Sequence, residues 1–175
     1  MTTSPMWRSA PPPPCIDTRS LRNALGTFAT GVAFVTTMVA GEPTGLIVNS
    51  LASVSLEPPL VSFCASRTST TWSRMRGAER LAVNILARHH EPFVRRAAPA
   101  GADRFTGLQW RLVRDLPLLT DALASLECEI DAEHRAGDHL IVVARVAALR
   151  TARGSDPLVF YAGGFHRLES ESRHS

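Results

Sequence analysis

Lysine is absent: all 19 basic residues among the 175 are arginine. That absence excludes a Schiff-base lysine and the lysine of a P-loop. Neither G-x-G-x-x-G nor G-x-x-x-x-G-K-[ST] occurs, so a Rossmann or Walker nucleotide site is unsupported, and there is no G-x-S-x-G nucleophile elbow. The histidines (His89, His90, His134, His139, His166 and His174) form no H-x-x-x-H or H-E-x-x-H pair. His134 and His139, near Glu133 and Asp138, come closest to a ligand set, but a strand-turn-strand leaves their geometry unfixed, and no metal site is expected. Cysteine is scarce: Cys15, Cys64 and Cys128 are odd in number, widely spaced and without C-x-x-C. Such thiols suit a reducing compartment, with Cys64 and Cys128 buried in apolar runs, and the expected location is the cytoplasm. No run of ~18 apolar residues is present, so no membrane contact is expected, and no signal peptide is evident. The net charge of +3 is too small to imply a nucleic-acid partner.

The remaining composition, 45% hydrophobic and 20% charged, is that of a soluble globular chain long enough for one domain that buries roughly two-thirds of its unfolded surface. Three parts are expected. Residues 1–16 hold the proline run 11–14 and read as a disordered arm, 17–168 as the folded domain, and 169–175 as a polar tail. Within the domain, Asp17 is placed to cap a helix running to residue 29, with Leu21, Ala24, Leu25 and Phe28 on one face. Residues 32–39 read as a strand, and 41–45 as the turn into the next one. Short helices are expected over 71–76 and 90–98, and strands over 80–87, 123–130, 139–149 and 157–161. Residues 117–122 and 131–138 read as turns. Six or so strands with helices between them suggest a mainly β protein, an antiparallel barrel with peripheral helices.

One stretch is chemically distinctive. Residues 48–65 alternate small polar and apolar side chains, break at Pro58-Pro59, and resume as an apolar run. The loop that follows sets Arg67 among the five hydroxyls of Ser66, Thr68, Ser69, Thr70 and Thr71. A hydroxyl-lined strand leading to such a loop, just before a helix start, suits a flat, phosphate-bearing ligand. Asn84 is the single polar interruption of its strand, where a polar group could reach the ligand or pair with backbone.

Several segments in order carry a resemblance. They are F-A-T-G-V at 28–32, V-N-S-L-A-S-V-S-L-E-P-P-L-V at 48–61, A-V-N-I-L at 82–86, D-R-F at 103–105, L-E-C at 126–128, G-D-H at 137–139 and P-L-V-F-Y at 157–161. Together they resemble the flavin reductase family of the FMN-binding split barrel (Greek-key type), in particular reductase components of two-component flavin-dependent monooxygenases. The resemblance implies a homodimer that binds FAD or FMN, oxidises NADH or NADPH, and passes reduced flavin to a separate flavin-dependent monooxygenase; FAD and NADH are preferred. It also implies roles for residues. Asn49, Ser50, Leu51, Ala52, Ser53 and Ser55 would line the isoalloxazine, and Ser66, Arg67, Thr68 and Ser69 would hold the ribityl phosphate. Asn84 would reach the ligand, His139 would act beside the nicotinamide, and Tyr161, His166 and Arg167 would close the site. A flavin- or haem-binding barrel without reductase turnover is the alternative.

Overall fold

A computed structural model of the chain describes residues 15–97, 103–152 and 155–168. The proline run of the expected arm and the tail from 169 lie outside these residues. Among the described residues the elements are α1 (Thr18–Gly26), β1 (Thr30–Gly31), β2 (Ala33–Val39), β3 (Glu42–Val48), β4 (Ala52–Leu56), β5 (Pro59–Ser66), α2 (Thr70–Met75) and β6 (Arg80–Ile85). A 3-10 turn (Arg88–His90) leads into α3 (Glu91–Ala97). Then come β7 (Trp110–Val113), β8 (Leu116–Leu119), β9 (Ala124–Ala136), β10 (His139–Thr151), β11 (Val159–Tyr161) and β12 (Gly164–His166).

Seven strands form the main sheet in the order β3-β2-β6-β9-β10-β5-β4, all antiparallel. Its two edge strands, β3 and β4, are consecutive in the chain and joined only by residues 49–51. Laid flat, seven strands would hold those edges about 29 Å apart. The link from Val48 to Ala52 can span at most about 15 Å. The sheet must therefore curl until its edges approach, and β3 indeed comes up against β5. Because β3 and β4 share no ladder, the barrel stays split along that seam. This is the antiparallel split barrel expected from the sequence.

Period-2 alternation sends one side of each strand inward. Val35, Phe63, Leu81, Val83, Leu140 and Val142 meet Trp72 and Met75 of α2 in the barrel interior. The opposite faces of β2 and β6 are covered too, which makes those strands almost continuously buried. There Phe34, Leu86, Leu119 and Leu158 pack with Phe93 and Val94 of α3 in a second core. Phe34 stacks edge-on against Phe93, with ring centroids 5.1 Å apart. A Cβ at Gly45, on the neighbouring strand, would run into the Phe34 ring, so this close approach requires glycine.

Several local readings are corrected. The Asp17 cap is present, its carboxylate accepting from Ser20 N–H at 2.9 Å, but α1 stops at Gly26 rather than residue 29. Residues 42–45 belong to β3, and only Ala40 and Gly41 turn, both at positive φ. Pro43 is tolerated because β3 is an edge strand. Residues 116–119 are β8, not turn, and their side chains are all buried. The polar run 131–136 continues β9, leaving Gly137 (φ 61°) and Asp138 as the whole turn of the β9–β10 hairpin. Ladder pairing and an ion pair from Arg145 to Asp131 (2.8 Å) hold that run extended despite its polarity. Strand β12 and the two-stranded β7–β8 sheet were not expected.

Candidate active site

Residues paired across an antiparallel ladder share a face. Between β5 and β10 the pairs Ser66–His139, Cys64–Ile141 and Ser62–Val143 point outward, while Phe63, Ala65, Leu140 and Val142 point into the barrel. The outward set forms a shelf on which β5 contributes small hydroxyl and thiol groups and β10 contributes His139, Ile141 and Val143. The link 49–51 borders it: Ser50 Oγ accepts the Cys64 N–H at 2.8 Å, and Ala52 pairs with Ser62 across β4–β5. Leu51 is half-buried against the core, whereas Asn49, Ala52 and Ser53 are exposed and Ser55 is half-buried. The hydroxyl strand therefore edges the shelf on the side away from β10.

At the far end of β5 the hydroxyl loop meets the β9–β10 turn. Arg67 donates its backbone N–H to Asp138 O (3.0 Å) and its Nη1 to Gly137 O (3.1 Å). Ser66 Oγ and Thr68 Oγ1 lie 2.9 Å apart. Ser69 caps α2, its Oγ accepting Trp72 N–H at 3.1 Å. That bond and the Ser69 N–H to Ser66 O bond (3.0 Å) occupy two of the four amide donors at the start of α2. His139 shares its ladder rung with Ser66 although 73 positions separate them in the chain. Its Nδ1 sits 2.8 Å from Asp138 Oδ1, which orients the ring and leaves Nε2 for another partner. That hydrogen bond and then the charge of His139 hold the exposed Asp138 carboxyl below its ordinary value.

Two groups of expected residues are not on this shelf. Asn84 is fully enclosed at 0% exposure. Its Nδ2 donates to Phe34 O (3.1 Å) and Thr36 Oγ1 (3.2 Å), and its Oδ1 accepts from Leu119 N–H (3.0 Å) and Ser125 Oγ (2.8 Å). All four valences are taken, so Asn84 brackets β2, β6, β8 and β9 and has no free atom for a ligand. Tyr161 and His166 stand 5.5 Å apart on the β11–β12 hairpin, and Arg167 follows, 3.9 Å from Asp156. This hairpin belongs to a separate three-stranded sheet with β1. Thr30 Oγ1 in β1, opposite Phe160, is buried with no hydrogen-bond partner among the described residues.

The sequence reading also passed over a hollow. A cavity of about 650 Å³ opens beside the first turn of α2, lined by Thr44, Thr70, Thr71, Arg74, Arg104 and Phe105 among others. Arg104 crosses it, donating to Thr71 Oγ1 (2.9 Å) and Gly45 O (3.3 Å), and burial pulls its pKa below the usual arginine value. The D-R-F segment was noted, but only the fold brings it against α2. Glu42 and Asp103 line it as well, so its two guanidiniums share the cavity with two carboxylates.

Fold and shelf together define a small antiparallel split barrel with one hydroxyl-edged face. Residues 25–169 match the family described as flavin reductase like domain, and the chain belongs to that family. It is 37% identical over 157 residues to the reductase subunit HsaB of a flavin-dependent monooxygenase from Rhodococcus jostii, covering 89% of this chain and 80% of that one. Nitrilotriacetate monooxygenase component B from Mycobacterium thermoresistibile superposes with a TM-score of 0.85 at 34% identity, over 91% and 90% of the two chains. An NADH:FAD oxidoreductase from Streptomyces globisporus, solved with NAD and FAD fragments, gives 0.83 at 33% identity over 89% and 95%.

Proposed function

We propose that the chain is an NAD(P)H:flavin oxidoreductase, preferring NADH and FAD, that supplies reduced flavin to a separate monooxygenase. The observation that carries the site is the rung joining His139 to Ser66, because it sets the two distant motifs side by side. The donor set fits the group. The β5 side of the shelf carries small side chains, the 49–55 segment offers hydroxyl and backbone groups at its edge, and Ser66, Arg67 and Thr68 offer a guanidinium and hydroxyls to a phosphate. Bound flavin supplies the hydride acceptance itself, so the chain needs no acid–base constellation. Its residues bind and orient. The shelf stacks the ring, Arg67 fixes the phosphate end, and His139 positions the nicotinamide through Nε2 while Asp138 holds Nδ1. Contacts made of separate hydrogen bonds, each worth about 0.5–1.5 kcal/mol net, suit a flavin that must leave.

The working unit is a homodimer in the cytoplasm. Support for a second copy comes from Leu21 and Leu25 on α1 and Phe28 just beyond its end, all exposed, and from Leu56 of β4, which is 90% exposed. Support for a reducing compartment comes from the three free thiols. Among the described residues, no helix is long and apolar enough to cross a membrane.

The test mixes purified protein with FAD or FMN and NADH or NADPH and follows loss of nicotinamide absorbance. Turnover is expected, with the highest kcat/KM for NADH and FAD. No turnover in any of the four combinations would overturn the enzyme reading and leave a ligand-binding barrel.

A further inference from the structure

Glu133 lies in the polar end of β9, six positions before His139. Its ladder partner is Val142, whose side chain is fully buried in the barrel interior, so Glu133 is directed to that same inward face. A carboxylate so directed is costly unless its oxygens find donors. Two donors are present, and both come from α2. Trp72 Nε1 donates to Oε1 at 3.0 Å, and Arg76 donates Nη2 to Oε2. Trp72 stands in the first turn of α2 and Arg76 is its C-cap, so one carboxylate holds the helix at both ends.

The same hairpin is tied to the same segment a second time. Ahead of α2, Arg67 bonds Gly137 O through Nη1 and Asp138 O through its backbone N–H, at the turn that ends β9. Between the two ties stand Thr68 and Ser69, with Ser66 just before them. Ser69 links these residues to the helix: its Oγ accepts Trp72 N–H at 3.1 Å, and its own N–H donates to Ser66 O at 3.0 Å. A shift of Trp72 is therefore passed through two bonds to the hydroxyls of Ser66 and Thr68, which lie 2.9 Å apart. We propose that Glu133 is a positioning residue for the flavin phosphate: acting through Trp72, it holds residues 66–69 in the shape that receives the phosphate. This rests on the assignment of Ser66, Arg67 and Thr68 to that group.

The Trp72 bond carries most of the effect. The indole is 2% exposed and stands edge-on to Phe63 of β5 at 5.4 Å, so its N–H has no solvent to turn to. The Arg76 side chain is 52% exposed, and an ion pair open to water contributes little. Without the tether, the ordering that Glu133 imposes on the loop must be supplied when the phosphate binds. A flavin without a phosphate makes no use of the loop and escapes that cost.

The experiment measures the Kd of FMN and of riboflavin, which differ only by the phosphate, by flavin fluorescence titration of the unsubstituted full chain and its variants. Glu133→Ala should raise the FMN Kd by about 3–10-fold and leave the riboflavin Kd within about twofold. Trp72→Phe keeps an aromatic ring in the core but has no N–H, and should move the ratio of the two constants in the same direction. Glu133→Gln keeps an acceptor for the indole and should restore the parent ratio. A general loosening of the fold would instead raise both constants together. Circular dichroism checks folding, and Trp72→Phe decides the matter if Glu133→Ala does not fold. A ratio unchanged in both Glu133→Ala and Trp72→Phe, or riboflavin weakened as much as FMN, would overturn the proposal. Glu133→Gln as impaired as Glu133→Ala would overturn the route through Trp72. An unsubstituted chain that binds riboflavin as tightly as FMN would overturn the phosphate assignment itself, and this proposal with it.

Discussion

Replacing Asn84 by alanine separates a bracket from a ligand contact. The side chain is fully buried and joins four strands through four hydrogen bonds. Its removal leaves the buried Leu119 N–H without an acceptor, at a cost of about 1–3 kcal/mol. Ser125 can rotate its hydroxyl, and Thr36 keeps its own bond to Pro117 O (2.6 Å), so these add little. The small void left behind adds about 1 kcal/mol. A net loss of about 2–4 kcal/mol, with a urea m-value of about 2 kcal/mol/M, moves the unfolding midpoint down by about 1–2 M. The buried Trp72 reports the transition by fluorescence. Flavin affinity, measured below the transition, should stay within about twofold of the parent, because no Asn84 atom is open to a ligand. A midpoint that barely moves, or a flavin Kd raised tenfold at unchanged stability, would refute this reasoning.

Two further outcomes follow from packing and from titration. Gly45→Ala drives a Cβ into the Phe34 ring and within 3.1 Å of Val35 O. The overpacking should cost about 1–3 kcal/mol and lower Tm by about 3–9 °C; an unchanged Tm would show that Phe34 can move aside freely. The Cys128 thiol is pushed up to about 12, first by burial and then by the charge of Glu127. The folded chain thus keeps a proton that the unfolded chain loses near 9, so stability is unaffected below that pH and falls between about 9 and 12, by up to about 1.4 kcal/mol per pH unit. Urea midpoints measured across that range should flatten in Cys128→Ala by about one proton's worth; an identical slope would contradict the assignment.

Strand content was legible wherever alternation was strong. Residues 32–39 and 139–149 lie within a residue or two of β2 and β10, because each buries alternate side chains whose pattern is local. Readings failed where non-local pairing overrode composition. Residues 131–136 look like a turn, and Pro117 looks like a breaker, until partner strands hold them extended. Asn84 was recognisable as unusual, but its four partners come from elements far away in the chain, so its role could not be read locally. The hydroxyl loop and the G-D-H segment were legible as motifs, and their adjacency is a property of the β5–β10 register alone. Arg104 was part of a noted motif, yet its bonds to Gly45 and Thr71 depend on how the 103–106 loop folds over α2.

The central claim is that Arg67 and His139, brought together where the end of β5 meets the β9–β10 turn, divide the work between flavin and nicotinamide. Steady-state titration of both substrates against Arg67→Ala and His139→Ala tests it most directly. Losing one charge-assisted contact worth about 1.5–3 kcal/mol should raise the flavin Kd of Arg67→Ala about 10–100-fold and leave the KM for NADH near its parent value. His139→Ala should keep the flavin Kd and lose kcat/KM for NADH. Parent-like constants in both variants, or the same constant disturbed in both, would contradict the account.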